Sequence, residues 1–487
     1  MKFKIDIKKC IFILLGALAL AGTLYFERRV LIISFEQLLF GFMKLKGGGA
    51  STALFGITYV IVLFIIIGII LLLPVTDFGK KFTISIKDRV VQLYPIKNIK
   101  LYGITLFLVG VILLLNSFEV FPFIKYRLFS NTELFDDYYV ETSDVDITFP
   151  ENKRNLIYIF VESLETSNAS IDNGGLFEES LIPNLEQLAT NNISFSNNDK
   201  IGGAYYSYGT NWTSGAMIAH TAGVPLKVTL SDFGPNSIRF RNVTSIGDIL
   251  ASNGYNNYLL LGSDASFGSR RAYFSNHNYF IYDYGSAIND GKIDSDYYEW
   301  WGYEDAKLFE YAKEMISDIS KSDKPFNFTL LTADTHFTDG YVDGSCENKF
   351  DEPYANAIYC SDSKIYEFVK WIKEQEFYEN TTIIIAGDHL TMQNGFYDVS
   401  FEKRNIYNVF INATVDYDFS DKNRVYTVMD MFPTTIASLG ADIEGDRLGL
   451  GTNLFSNIET IPEIIGIDEF NRELSKGSHY YYNYIRS

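Results

Sequence analysis

The chain has 487 residues, 16% of them aromatic, and a formal net charge of −19, which is more chain than one compact domain usually holds. The charge is uneven: residues 1–127 carry 16 Lys+Arg against 6 Asp+Glu, and the rest carries 25 against 54. An acidic C-terminal part argues against nucleic acid as a partner, because that needs a basic face, and is compatible with binding a divalent cation.

Three apolar runs open the chain: Cys10 to Phe26, Ser51 to Val75 and Leu101 to Phe121. Spanning a bilayer takes about 20 mostly apolar residues; the second and third runs meet that and the first is marginal. The stretch from Val30 to Met43 is apolar but short and carries Glu36 and Gln37, so it reads as an interfacial or re-entrant piece. Lys2, Lys4, Lys8 and Lys9 precede the first run, and Lys80, Lys81, Lys87, Arg89, Lys97 and Lys100 separate the second from the third. The positive-inside rule puts both stretches in the cytoplasm and everything after Phe121 outside, although Arg28, Arg29, Lys44 and Lys46 count against this scheme. The first run reads as an anchor rather than a cleaved signal peptide, since no small-residue cleavage site follows it. The expected plan is a multi-pass membrane anchor over residues 1–121, a linker over 122–153 and an extracytoplasmic domain over 154–487. The linker is aromatic and basic at first (Phe123, Lys125, Tyr126, Arg127), then acidic. Cys346 and Cys360 lie a short loop apart in the outer part; an oxidising outside favours a disulfide, with two unpaired thiols as the alternative.

From Asn155 onward, β-branched apolar runs alternate with helical patterns. Strands are expected at Leu156–Val161, Asn257–Leu261, Phe326–Thr332, Thr382–Ala386 and Tyr407–Ile411. Helices are expected at Ile182–Thr190, Ser214–Ala222, Ser245–Ser252, Tyr303–Ser320 and Ser361–Gln375. This alternation predicts an α/β sheet covered on both faces. Such sheets place their sites beyond the carboxyl ends of the strands. Four strands here run into polar residues: Glu162, Asp264, Asp334 with His336, and Asp388 with His389.

Thr213 precedes the helical stretch Ser214–Ala222 and is the candidate nucleophile. A helix N-terminus favours an anion. A threonine hydroxyl is weak at neutral pH and needs activation, which a divalent metal supplies. Glu162, Asp388 and His389 offer two carboxylates and an imidazole; with Thr213 they make a four-donor set that suits zinc or manganese. Taken singly, a Glu after a strand is usually a loop residue, Asp-His is a weak motif, and a Thr before a helix is usually a cap. Together, at strand ends in an α/β pattern, they point to metal-assisted phosphoryl transfer.

Three segments carry a resemblance. Asn155 to Val161 with Glu162-Ser163-Leu164-Glu165, then Gly209-Thr210-Asn211-Trp212-Thr213-Ser214-Gly215, then Ala386-Gly387-Asp388-His389-Leu390 resemble the lipoteichoic acid synthase and phosphoglycerol transferase family. Ala219-His220-Thr221-Ala222-Gly223-Val224-Pro225-Leu226 most resembles the branch that decorates periplasmic glucans or cell-wall polysaccharides. The resemblance covers roughly residues 150–450 and the anchor plan. It implies an alkaline-phosphatase-like α/β sandwich, with a mixed sheet flanked by helices. It also implies one divalent metal, manganese first with zinc or magnesium as alternatives, held by Glu162, Thr213, Asp388 and His389. Thr213 would take sn-glycerol-1-phosphate from phosphatidylglycerol and pass it to a hydroxyl of an extracellular glycan or polymer. His336, in Thr332-Ala333-Asp334-Thr335-His336, would contact the phosphate or protonate a leaving oxygen. Arg270, in Phe267-Gly268-Ser269-Arg270, would face the phosphate, with Arg271 as its alternative. The lipoteichoic branch has a tryptophan where this chain has Gly268. The rival readings are a phosphoethanolamine transferase, a phosphodiesterase of the same fold, and a glycan-binding or sensor protein that has lost its chemistry. Sulfatase chemistry needs a Cys or Ser followed two residues later by Pro and four later by Arg, and nothing of that kind occurs at Thr213.

Overall fold

A computed structural model describes residues 7–29, 35–43, 50–75, 83–86, 89–92, 98–229, 232, 237–415 and 419–486. Lys2, Lys4, Lys44, Lys46, Lys80, Lys81, Lys87 and Lys97, used above for orientation, lie outside the described residues. The chain forms two compact units. One holds Met1–Leu38, Gly49–Ile124 and Met392–Phe396; the other holds Leu39–Gly48, Lys125–Thr391 and Tyr397–Ser487.

The first unit contains helices α1 (Ile7–Arg29), α3 (Ala50–Leu72) and α4 (Ile99–Ser117). Three stretches, Cys10–Arg28 in α1, Ile57–Val75 through α3 and the 3-10 turn after it, and Ile99–Ser117 in α4, are long and apolar enough to cross a membrane. α1 packs along α4 and buries Ile13, Ala17 and Ala21; the two alanines are small residues that let helices approach closely. Between α1 and α3, the nine-residue helix α2 (Phe35–Met43) is about 14 Å long at 1.5 Å per residue. That is too short to span, in keeping with the interfacial reading.

The second unit is built on a six-stranded mixed sheet. Its strands are β1 (Asn155–Val161), β2 (Asn256–Leu261), β3 (Tyr279–Tyr282), β4 (Phe326–Leu331), β5 (Thr381–Gly387) and β6 (Asn408–Ile411), in the spatial order β6-β5-β1-β4-β2-β3. All neighbours are parallel except β6, which runs antiparallel to β5 at one edge. β1, β4 and β5 are buried at every residue, which is why they read as continuous apolar runs rather than alternating ones. The edge strand β3 was not expected; it has four residues, and Phe280 is 59% exposed.

Helices flank the sheet: α5 (Pro183–Asn191), α6 (Thr213–Ala222), α7 (Ile246–Ser252), α8 (Arg270–Asn276), α9 (Asp305–Ile319), α10 (Pro353–Lys373) and α11 (Met431–Ser438). Ser245 closes a capping box on α7 with Asp248, which sets that helix's start. α10 begins well before the expected Ser361. Pro353 occupies its first turn, where a missing N–H costs nothing, and Tyr354, Ala357 and Ile358 extend its buried face. Cys346 and Cys360 form a disulfide, with Cα atoms 5.6 Å apart, that staples the loop after β4 to α10.

Candidate active site and metal centre

The register of the sheet assembles the centre. β1 and β5 pair in parallel with Val161 opposite Gly387, so the next residues, Glu162 and Asp388, leave the sheet side by side. Ser163 then takes a left-handed conformation, φ 55°, which points its N–H at Asp388 Oδ1, 2.8 Å away. The His389 N–H donates to the same oxygen at 2.7 Å. Asp388 Oδ2 is buried with no hydrogen-bond partner among the described residues and lies 3.4 Å from His389 Nε2. His389 Nδ1 is 2.9 Å from the Leu390 carbonyl. A carbonyl only accepts, so Nδ1 carries the proton and the neutral ring turns the lone pair of Nε2 into the cluster.

Thr213 is the first residue of α6. Its hydroxyl donates to Glu162 Oε2 at 3.2 Å and lies 3.5 Å from His389 Nε2. Candidate ligand atoms of Glu162, Asp388 and His389 all lie within 4.8 Å of one another, and all three residues are buried. Four donors at about 2.0–2.2 Å around a tetrahedral cation stand roughly 3.3–3.6 Å apart, which matches the contacts at 3.2, 3.4 and 3.5 Å. The unpartnered Asp388 oxygen and the inward Nε2 thus fit a divalent cation.

The electrostatics agree. Burial, then the charge of Glu162, pushes the Asp388 carboxyl up to about 7. Burial also opposes ionisation of Glu162, but His389, His336 and hydrogen bonds from Ser163 and Thr213 hold it below the usual range. His389 is held up despite burial by Asp388 and Glu162. Negative charge is crowded here, and a cation relieves that crowding by displacing protons.

The other expected residues gather around this cluster. Burial lowers the His336 pKa, and the Glu162 charge opposes that shift. Its Nδ1 donates to the Phe337 carbonyl at 2.5 Å, leaving Nε2 as the acceptor. Arg270 is buried and lowered to about 10 by that burial, opposed by Glu162, Asp264, Asp283 and Asp388. Its Nε donates to Phe267 O at 3.1 Å, and its Nη2 to Ser263 Oγ and Asp264 O at 3.0 Å each. Arg271 instead pairs with Asp283 and is 40% exposed, so the structure separates the two arginines. Gly268 has φ +65°, where a side chain is strained, and a Cβ there would sit 2.1 Å from Ser214 Oγ on α6, which would have to move. Asp264 builds the turn, accepting from Ser266 N at 2.8 Å. His220 is buried with Nδ1 2.7 Å from the Tyr158 hydroxyl, and His277 pairs with Asp248 at 2.6 Å.

Sequence reasoning missed a supporting network. Glu165 Oε1 accepts from Thr391 N at 2.8 Å, and Arg404 Nε lies 3.4 Å from Glu165 Oε2. Arg404 also donates to Thr391 O at 3.1 Å. Tyr354 on α10 donates to Thr335 O at 2.9 Å, and the Thr335 hydroxyl donates to the Glu162 carbonyl. Glu165 stood in the motif, but its partners are distant in sequence.

The family model described as sulfatase matches residues 154–440. The chain belongs to the sulfatase family. Phosphoglycerol transferase I of Escherichia coli O127:H6 is 30% identical to this sulfatase-family chain over 372 residues, covering 70% of this chain and 46% of that protein. The chain therefore spans less than half the length of the curated relatives it matches. The lipoteichoic acid synthase LtaP from Listeria monocytogenes superposes with a TM-score of 0.50 at 17% identity, over 66% of this chain and 81% of that one. The integral membrane lipooligosaccharide phosphoethanolamine transferase A from Neisseria meningitidis gives 0.51 at 12% identity, over 90% and 85%. At these identities the two structures speak to fold alone, and the fold is the expected alkaline-phosphatase-like sandwich with a mixed sheet.

Proposed function

We propose that this protein is a membrane-anchored, metal-dependent phosphoglycerol transferase. In this reading it moves sn-glycerol-1-phosphate from phosphatidylglycerol, through Thr213, to a hydroxyl of an extracellular glycan or polymer. The observation that carries the reading is the convergence of the Thr213 hydroxyl with Glu162, Asp388 and His389 at contacts of 3.2–3.5 Å. The 30% identity to a phosphoglycerol transferase supports the choice of headgroup. The positive-inside pattern and the Cys346–Cys360 disulfide support an extracytoplasmic site.

Glu162, Thr213, Asp388 and His389 would hold the cation, manganese first, with zinc or magnesium as alternatives. The cation would supply Lewis acidity, favouring loss of the Thr213 proton to solvent and offsetting phosphate charge. The field at the start of α6 favours the anionic group there. Thr213 Oγ forms a bond to the lipid phosphorus as the bond to the diacylglycerol oxygen breaks. His336, neutral at rest because burial lowers its pKa, first takes a proton from solvent and then gives it to that oxygen. In the second half, the acceptor hydroxyl passes its proton to neutral His336, its oxygen bonds to phosphorus, and Thr213 leaves and is reprotonated. Arg270, buried and cationic, faces the phosphate.

The test is mass spectrometry of the full chain in detergent after exposure to phosphatidylglycerol. One added glycerophosphate on the Thr213 peptide is expected. Labelling instead from phosphatidylethanolamine, or labelling elsewhere, refutes the assignment.

A further inference from the structure

Trp301 has no part in the site as assembled so far. Its ring centroid lies 4.5 Å from that of His336 and 5.7 Å from that of Phe267, and Arg270 Cζ lies 5.8 Å from the Phe267 centroid. Three segments far apart in the chain thus meet at one rim: the loop after β2, the stretch leading into α9, and the loop after β4. The Trp301 segment is firmly seated. Tyr303 N donates to Gly262 O at 3.0 Å, and Ser263 and Gly302 form an antiparallel bridge. Gly302 has φ +148°, and a Cβ there would sit 2.1 Å from Gly262 O, so only glycine allows this approach. The adjacent Trp300 is tied down, its indole N–H donating to Ala333 O at 2.9 Å. Trp301 is different. It is half-buried, and among the described residues its indole N–H meets no acceptor. A buried tryptophan usually has its N–H satisfied, and the half-buried Trp301 leaves its own to solvent or a ligand. Trp301 is a partly exposed indole on a rigid mount, beside the imidazole assigned to the leaving oxygen.

We propose that Trp301 is the platform on which a saccharide acceptor stacks, so that one of its hydroxyls is presented to His336. The proposal rests on the phosphoglycerol-transfer reading and names the residue on which its glycan acceptor docks. In a double displacement the acceptor oxygen enters where the diacylglycerol oxygen left, and both positions are those served by His336. A group packed against His336 therefore meets the incoming acceptor. The C–H face of a pyranose is apolar and weakly positive, and it complements the negative face of an indole. The acceptor proton goes to His336 Nε2, the acceptor oxygen bonds to phosphorus, and the bond from phosphorus to Thr213 Oγ breaks.

The test uses the full chain in detergent with phosphatidylglycerol and soluble β-glucan oligosaccharides. Diacylglycerol release without oligosaccharide is measured separately from transfer to it. In Trp301→Ala the oligosaccharide KM is expected to rise at least about tenfold beyond any change in diacylglycerol release, equivalent to about 1.4 kcal/mol. Trp301→Phe is expected to recover most of that loss. An unchanged KM in Trp301→Ala overturns the proposal. So does an equal fall in both reactions that Phe fails to rescue, which is the mark of a structural role. Wild-type protein that releases diacylglycerol but never modifies the oligosaccharides overturns the saccharide platform while leaving the donor reading intact. Wild-type protein that releases none overturns the donor reading, and this proposal with it.

Discussion

Glu162, Asp388 and His389 sit at the ends of two adjacent strands buried along their whole length, whereas His336 and Trp301 are carried by segments between strands and helices and Arg270 opens the short helix α8. On the cation side, position follows from register: Val161 opposite Gly387 leaves little freedom for the residues that follow. On the substrate side, position follows from local anchors: the side chains of Thr335 on the Glu162 carbonyl and Tyr354 on Thr335, and the backbone of Gly302 against Gly262. The first kind of placement is as rigid as the sheet. The second is adjustable, and it is where differences in donor and acceptor among proteins with this core would be written.

The sharpest way to break this division is at the nucleophile. Thr213→Ala is expected to cut transfer at least about 10³-fold, the scale on which enzymes lose activity without their nucleophile. Folding should barely respond, because Thr213 is half-buried and gives up one hydrogen bond, worth about 1 kcal/mol. Transfer assays beside a thermal melt check both; residual activity above one per cent would exclude the covalent route. Next in size is Asp388→Asn, expected to lower metal affinity by at least about a hundredfold, measured by calorimetry on protein stripped with chelator. The metal-free variant should melt no lower than metal-free wild type, since the lost charge is a buried carboxylate whose pKa is pushed up to about 7. Wild type alone should gain stability on adding metal.

The same division decides what can be read from the amino-acid sequence. Glu162 and the Asp388-His389 pair end β-branched apolar runs, and Thr213 precedes a helical pattern, so each lies at a boundary that periodicity reveals. Gathering them needs only the rule that α/β sites lie beyond strand ends. β3 carries no sequence signature because Tyr279 to Tyr282 is too short for a pattern, and the start of α10 is hidden because Pro353 reads equally as a loop residue. Trp301 depends on a close backbone approach between Gly262 and Gly302, and Glu165 on Arg404. Pairings between residues so far apart leave no periodic trace.

On the substrate side, His336→Gln keeps a polar side chain and removes the proton carrier. A loss of about 10²–10⁴-fold in transfer is expected, the usual contribution of a positioned acid–base, with metal content unchanged. A parallel loss of metal would move His336 into the cation side and erase the distinction. Glu165→Gln probes the seam between the two sides, because Glu165 holds Thr391 two residues after His389. Removing a partner of this kind typically costs about 10–100-fold in metal affinity or activity. Arg404, left buried without its counter-charge, should also lower the melting temperature.

The smallest effect on activity is expected at the disulfide. Cys346 and Cys360 are 14 residues apart, and closing a loop of that size stabilises a fold by about 3 kcal/mol in the chain-entropy account. Cys346→Ser with Cys360→Ser should therefore lower the melting temperature clearly. The loop that carries His336 keeps its other holds, however. Lys364 Nζ lies 3.0 Å from Asp334, and the Asp305 carboxylate accepts from Ala333 N at 2.8 Å and Asp334 N at 3.1 Å. These contacts fix Ala333 and Asp334, two to three residues from His336 on its β4 side and away from the disulfide, so His336 should stay in place and transfer at 25 °C should fall less than about tenfold. If transfer collapsed while the melt moved little, the staple would be setting the substrate side directly, and side-chain anchors alone would not account for how that side is held.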